Sequence, residues 1–202
     1  MSNTGLSAAA LPATLLEWWF SPWTRALQPD LLPQAVGLMA QRDDYRDWCR
    51  RHGIPADFPV RYEAAWQSAA LSSSDELVHC AALYGGLFAA RERDRVSLAQ
   101  LPGAAQRWCL KVALTQPLLA LVPTPCSSVR QRGLGELALH LERSFPGMWP
   151  RLALMLPQDT AQTLQQMCRA GSVTAAAHAE QRALRCWMLC VEQARGVGLN
   201  QS

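Results

Sequence analysis

A chain of 202 residues that is 50% apolar and only 17% charged is long enough to bury a core of its own and too apolar to stay unfolded. Its formal charge of +3 comes from 19 basic and 16 acidic residues scattered along the chain. That pattern lacks the dense one-sided block that phosphate binding requires, so it argues against nucleic acid as a partner.

Seven cysteines (Cys49, Cys80, Cys109, Cys126, Cys168, Cys186 and Cys190) make an odd number. Most sit inside apolar helical patterns, which reads as small core residues and not as a disulfide framework. Residues 1–10 carry no basic leader. The most apolar runs, 108–122 and 152–156, are too short or too interrupted to span a bilayer. The expectation is a cytoplasmic protein without direct membrane insertion.

Residues 1–10 and 196–202 are expected to be flexible ends around a single helical domain at 11–195, with a point of subdivision near 54–72. The aromatic-rich opening, 11–20 and 23–27, is broken by Pro12, Pro22 and Pro29, and short helices are expected to start at the prolines. Asp30 is placed to cap a helix to Gln41, and Asp43 another to His52, with Gly53 as a left-handed stop. The prolines of 54–59 predict an extended crossing segment, then a turn of helix at 62–66.

Ser73-Ser74-Asp75-Glu76 forms a capping box. Behind it Leu77, Cys80, Ala81, Tyr84, Leu87 and Phe88 recur at helical steps, predicting a core-facing helix that ends in Arg91-Glu92-Arg93-Asp94-Arg95. Further helices are predicted at 103–115, from Ser127 or Ser128 through Phe145, at 146–156, at 158–170 and at 173–195. The fold class is therefore all-α: an irregular multi-helix globular domain of about eight to ten helices with little or no β-sheet.

The four histidines, His52, His79, His140 and His178, each stand alone in a helical pattern and read as helix-surface residues, away from any nucleophile. Cys186 and Cys190, four apart, could hold a soft metal only if Cys168 or His178 joined them, and cysteine among Leu, Trp and Met on a helix is ordinarily packing. Gly85-Gly86, like Gly133 and Gly135, falls within a helix pattern and suits close helix approach better than a phosphate loop. Asp43-Asp44 and Asp75-Glu76 sit at predicted helix starts, where they complement the dipole. No catalytic residue, cofactor or metal site is assigned.

Trp18, Trp19 and Trp23 place three indoles in six residues beside a proline-broken segment, and at least one is expected to contribute to a docking surface. Arg91, Arg93 and Arg95, with the mixed-charge run 42–51, are the candidate polar contacts.

From residue 75 onward the sequence resembles the type III secretion family variously called SctK, YscK or PscK, the accessory protein of the cytosolic sorting platform. The likeness rests on Glu76-Leu77-Val78-His79-Cys80 continuing to Leu83 and Gly85, on Gln116-Pro117-Leu118-Leu119-Ala120-Leu121-Val122, and on Arg130 with Gly133-Leu134. Its most specific block is Trp149-Pro150-Arg151-Leu152-Ala153-Leu154-Met155-Leu156-Pro157. The first half keeps only an aromatic, proline-rich opening with Trp23 before Leu31-Leu32-Pro33.

The resemblance implies a helical adaptor, without catalytic residues, at the cytosolic face of the inner membrane. It would link the cytosolic domain of an SctD-like ring protein to an SctQ-like pod protein. The alternatives are a small metal- or thiol-using helical domain and a secretion chaperone. Such chaperones are smaller acidic α/β dimers, whereas this chain is basic and lacks strand alternation.

Overall fold

Helix boundaries in this chain are set by prolines, hydroxyl caps and left-handed residues. The structure is a computed structural model. It describes residues 11–27, 38–71, 73–116, 118–122, 126–170 and 177–199, and among the described residues it holds helices and no β-strand. α1 (Ala13–Phe20) starts behind Pro12 and is cut at Ser21, after which a 3-10 turn, Pro22–Arg25, begins with proline in its first position. α2 spans Leu38–Arg51 as one helix. The break expected at 41–43 is absent because no proline or glycine interrupts this stretch, so Asp43 lies in a helix interior and not at a cap. Asp30 lies outside the described residues. Gly53, at φ +65°, supplies the expected left-handed stop.

The helical turn expected at 62–66 is a 3-10 segment shifted to Ala64–Ala69. α3 (Ser74–Glu92) opens on Ser73, whose hydroxyl accepts from the Glu76 N–H at 3.2 Å. It closes on Arg93 at φ +61°, a left-handed position held here without glycine. The Asp94 carboxylate then accepts from the N–H groups of Val96 and Ser97, both at 3.1 Å, and starts the short α4 (Arg95–Leu98). The Arg91-to-Arg95 run is therefore two helix termini back to back.

α5 (Gly103–Thr115) follows, and α6 (Val129–Ser144) is capped by Ser128, whose hydroxyl accepts from the Gln131 N–H at 3.1 Å. The helix expected at 146–156 is reduced to α7 (Met148–Ala153). Gly147 enters it at φ +84°, and residues 154–156 leave in tighter i to i+3 turns. α8 (Gln158–Ala170) matches expectation, while α9 (Ala177–Leu199) runs on through Gly196 and Gly198. Residues 196–199 are thus helical and not a loose tail.

α3 is the central element, packed against α5, α6 and α9, and α6 in turn packs against α7 and α8. A helix enclosed this way must be apolar nearly all round, and α3 buries ten residues from Leu77 to Ala89. Its approach to α6 is closer than side chains permit. A Cβ on Gly85 would stand 1.8 Å from the Val129 carbonyl oxygen, and one on Gly133 would stand 1.8 Å from that of Ala81. The two glycines face each other's backbones, so the crossing is set by missing atoms.

One apolar core spreads from α1 to α9 and takes in Trp66, Ala69 and Leu71, with Phe58 and Tyr62 packed against it. A satellite of Trp48, Cys49 and Ile54, bordered by Trp23, Tyr45, Ala56 and Leu154, sits beside it.

Gly85→Ala and Gly133→Ala should each lower the unfolding free energy by about 2–4 kcal/mol, since neither carbonyl is on a side chain that can swing away. Gly196 has nothing within 4 Å of a built Cβ, and Gly196→Ala should instead stabilise by about 0.5 kcal/mol. Urea unfolding of the three variants checks the contrast.

Candidate functional site

The densest polar constellation is built on Arg151, whose side chain is fully buried. Its Nε donates to the Trp19 carbonyl at 3.0 Å, and Nη1 to the Gly147 carbonyl at 2.9 Å. Nη2 donates to the Tyr45 hydroxyl at 2.9 Å and to the Pro55 carbonyl at 2.8 Å. The guanidinium also lies 3.8 Å from the centre of the Trp19 ring. Every one of these partners is neutral. Burial therefore pulls the Arg151 pKa down from its ordinary value, opposed by Tyr45.

The Tyr45 hydroxyl itself donates to the Ala56 carbonyl at 2.8 Å. Burial pushes its pKa up to about 12, against the pull of Arg151. One cation thus ties α1, α2, the 54–57 crossing and α7 into a knot, and it bridges the main core and the satellite.

A second polar line runs along the buried face of α6, where Arg132, Glu136 and His140 follow one another at four-residue steps and all three are buried. Arg132 makes a two-pronged pair with Glu92 at the end of α3 and sits over the Phe88 ring at 5.4 Å. Glu136 accepts from the Leu121 N–H at 2.9 and 3.0 Å and from the Val122 N–H at 3.0 Å, which pins the 118–122 segment to α6. Burial raises its pKa to about 7 against the opposing pull of those N–H groups and of Arg132.

His140 was expected on the surface; it is instead 1% exposed, stacked at 17° on Trp66, with neither ring nitrogen bonded. Burial, aided by Arg143, depresses its pKa to about 4. His52, His79 and His178 are exposed, as expected.

Six of the seven cysteines are buried and Cys126 is half-buried. Burial pushes Cys80, Cys109 and Cys168 up to about 12 and Cys186 to about 11. At neutral pH these sulfurs stay protonated and are poor nucleophiles. Cys190 has Cys109, Cys186 and Cys80 as its electrostatic neighbours, from α5, α9 and α3. Cys168 lies on α8 with Glu142 as its neighbour, and His178 is exposed at the start of α9, so neither is brought to the Cys186–Cys190 pair. Among the described residues no group of three or more His, Cys, Asp or Glu is disposed to hold a metal ion.

The aromatic candidates divide. Trp18 and Trp19 are 2% and 0% exposed, so the docking role expected of them is corrected: α1 turns both into the main core, with Trp19 against Phe58 and Phe145 and Trp18 under Arg25. The irregular backbone at Ser21-Pro22 lets Trp23 leave for the satellite, where it meets Trp48 edge-on at 5.2 Å and stays half-buried. Arg91, Arg93 and Arg95 are all exposed. In the run 42–51, Arg50 pairs with Asp47, and Arg46 with Asp57 across the turn. These are exposed pairs of small energetic weight.

A groove of 380 Å³ lies between the turn after α2, α7 and α8, lined by His52, Trp149, Ala153, Leu156, Gln158 and Gln162 among others. No helix among the described residues is long and apolar enough to cross a membrane. No family model, curated protein or solved structure matches the chain.

By sequence, His140 stands only as a surface residue and Arg151 only within the 149–157 block, and neither Arg132 nor Glu136 is singled out. The signal was a charged or imidazole side chain inside an apolar run: Arg151 between Trp149 and Leu152, and Glu136 and His140 among five leucines and alanines of 134–141.

Arg151→Met should cost about 3–5 kcal/mol, because it strands four buried acceptors, and Arg151→Lys should recover little, because an ammonium cannot span them. Urea unfolding measures both.

For His140, the folded value near 4 lies below the ordinary 6.5. The native state therefore binds fewer protons, and stability drains as pH falls from 6.5 toward 4. For Glu136 the folded value near 7 lies above the ordinary 4.5, so its contribution grows as pH falls through the same range. His140→Leu removes the first and leaves the second. Relative to the parent chain it should gain about 2 kcal/mol between pH 7 and pH 5 in urea unfolding.

Proposed function

We propose that this chain is a non-enzymatic adaptor of the type III secretion sorting platform, joining the cytosolic domain of an SctD-like ring protein to an SctQ-like pod protein. The observation that carries the reading is the role of the block 149–157, which bears the most specific part of the resemblance. Its Arg151 holds four separate segments together through buried bonds. Residues that give a family its signature without reacting are expected to be of this kind, since they maintain the shape that partners recognise.

The commitment of polar side chains supports the same reading. Arg151, Glu136 and Arg132 are spent on backbone groups or on each other's helices, and the buried thiols are held protonated. Work done by such a body falls to its outer surface, where Arg91, Arg93 and Arg95 are exposed and, at a separate place, Trp23 is half-buried. A rigid helical body with separate surface patches is what joining two assemblies demands, and charge on a rim steers association more than it tightens it.

Co-expression with an SctQ-like protein, and separately with the cytosolic domain of an SctD-like protein, tests the reading. Both should co-elute with the chain at low salt, and Arg91→Glu with Arg95→Glu should slow association with one of them by about tenfold while leaving the helical spectrum unchanged. Failure of both partners to co-elute defeats the assignment, and salt-independent binding removes the arginines from it.

A further inference from the structure

The outer face of α5 has the chemistry of a docking strip. Arg107, Leu110, Lys111 and Leu114 fall at i, i+3, i+4 and i+7 and are all exposed, while Cys109 and Ala113 face inward to α3. Leu114 is 84% exposed and Leu110 47%. Exposed leucines standing singly are ordinary, but two on one stripe, interleaved with cations, form an amphipathic surface.

Along the chain next to the strip the charge is one-sided. The stretch 91–116 contains five cations, Arg91, Arg93, Arg95, Arg107 and Lys111, all exposed, against two carboxylates, Glu92 and Asp94. Both carboxylates are already engaged, Glu92 with Arg132 and Asp94 with the N–H groups that open α4. α5 itself has no acidic residue. The four exposed strip residues of α5 are therefore apolar or positive.

We infer that the face of α5 formed by Arg107, Leu110, Lys111 and Leu114 binds an amphipathic helix of another protein whose leucine-type stripe is flanked by carboxylates. Leucines at helical spacing are met by a helix laid along them, and the two cations select acidic flanks over basic ones. This rests on the reading that the chain works by docking, and it specifies the partner chemistry of one surface.

The test uses the full chain and a labelled helical peptide of about 20 residues, with leucines at i, i+3, i+4 and i+7 and glutamates on both flanks; a second peptide carries lysines in place of the glutamates. Fluorescence anisotropy should show binding of the glutamate peptide that weakens with salt. Leu114→Asp and Lys111→Glu should each weaken it by about tenfold, and Met188→Asp, at an exposed site on α9, should not.

No binding, equal binding of the lysine peptide, or indifference to Leu114→Asp overturns the inference. Binding confined to phosphatidylserine vesicles, or a dimer of the chain that Leu114→Asp dissolves, would assign the strip to a membrane or to a second copy and overturn it equally. Because the peptides are synthetic, failure here leaves co-elution with the secretion proteins intact, and failure of co-elution leaves the peptide result standing.

Discussion

A single buried guanidinium ties α1, α2 and the crossing at 54–57 to α7, beside the apolar core that α1 shares with α3 and α6. The opening helix, the second helix and the proline-rich crossing at 54–57 share few helix-to-helix contacts with the α3–α6 centre. The polar link they have in common is Arg151, which reaches three of their groups at once, through Trp19, Tyr45 and Pro55. A charge buried among neutral acceptors is costly to desolvate, and it is retained only where its hydrogen bonds are complete. Five donors fixed in a plane suit that task, which is why arginine occupies the position and lysine would not serve.

The centre obeys a different constraint. α3 and α6 come together where Gly85 and Gly133 lack side chains, and that proximity brings the polar line of α6 into the core. Each member of the line meets the crossing in its own way. Arg132 answers the carboxylate at the end of α3, Glu136 satisfies the N–H groups of a segment that has no helix to satisfy them, and His140 stays neutral against Trp66. Close packing and polar burial are thus two sides of one geometry: the backbone approach that needs glycine also removes the water that would otherwise solvate these side chains.

Much of this was legible in the amino-acid sequence, for local reasons. Ser73, Ser128 and Gly53 mark boundaries through side-chain or backbone chemistry that acts within four residues, and α3, α5 and α8 begin and end where such signals stand. The glycines read correctly as close-approach positions. Errors arose where tertiary packing overrode local signs. Asp43 resembles a cap yet sits inside α2, and Gly196 and Gly198 look like breakers yet are carried by α9. Of the three indoles in six residues, Trp18 and Trp19 share the core, and the break at Ser21-Pro22 sends Trp23 elsewhere. His140 reads as a surface residue and Arg151 only as part of its block, because a lone titratable residue in an apolar run carries no local sign of the distant groups it packs against.

Arg151 is the means by which the packing of 45–56 against α1 and α7 keeps its shape. Native-state hydrogen exchange on the Arg151→Met chain addresses this directly. Amides of 45–56 should exchange through a low-energy opening that the parent chain lacks, while those of α3 and α6 remain protected to the level of global unfolding. Uniform loss of protection across α3, α6 and 45–56 would contradict the account, as would unchanged exchange at 45–56.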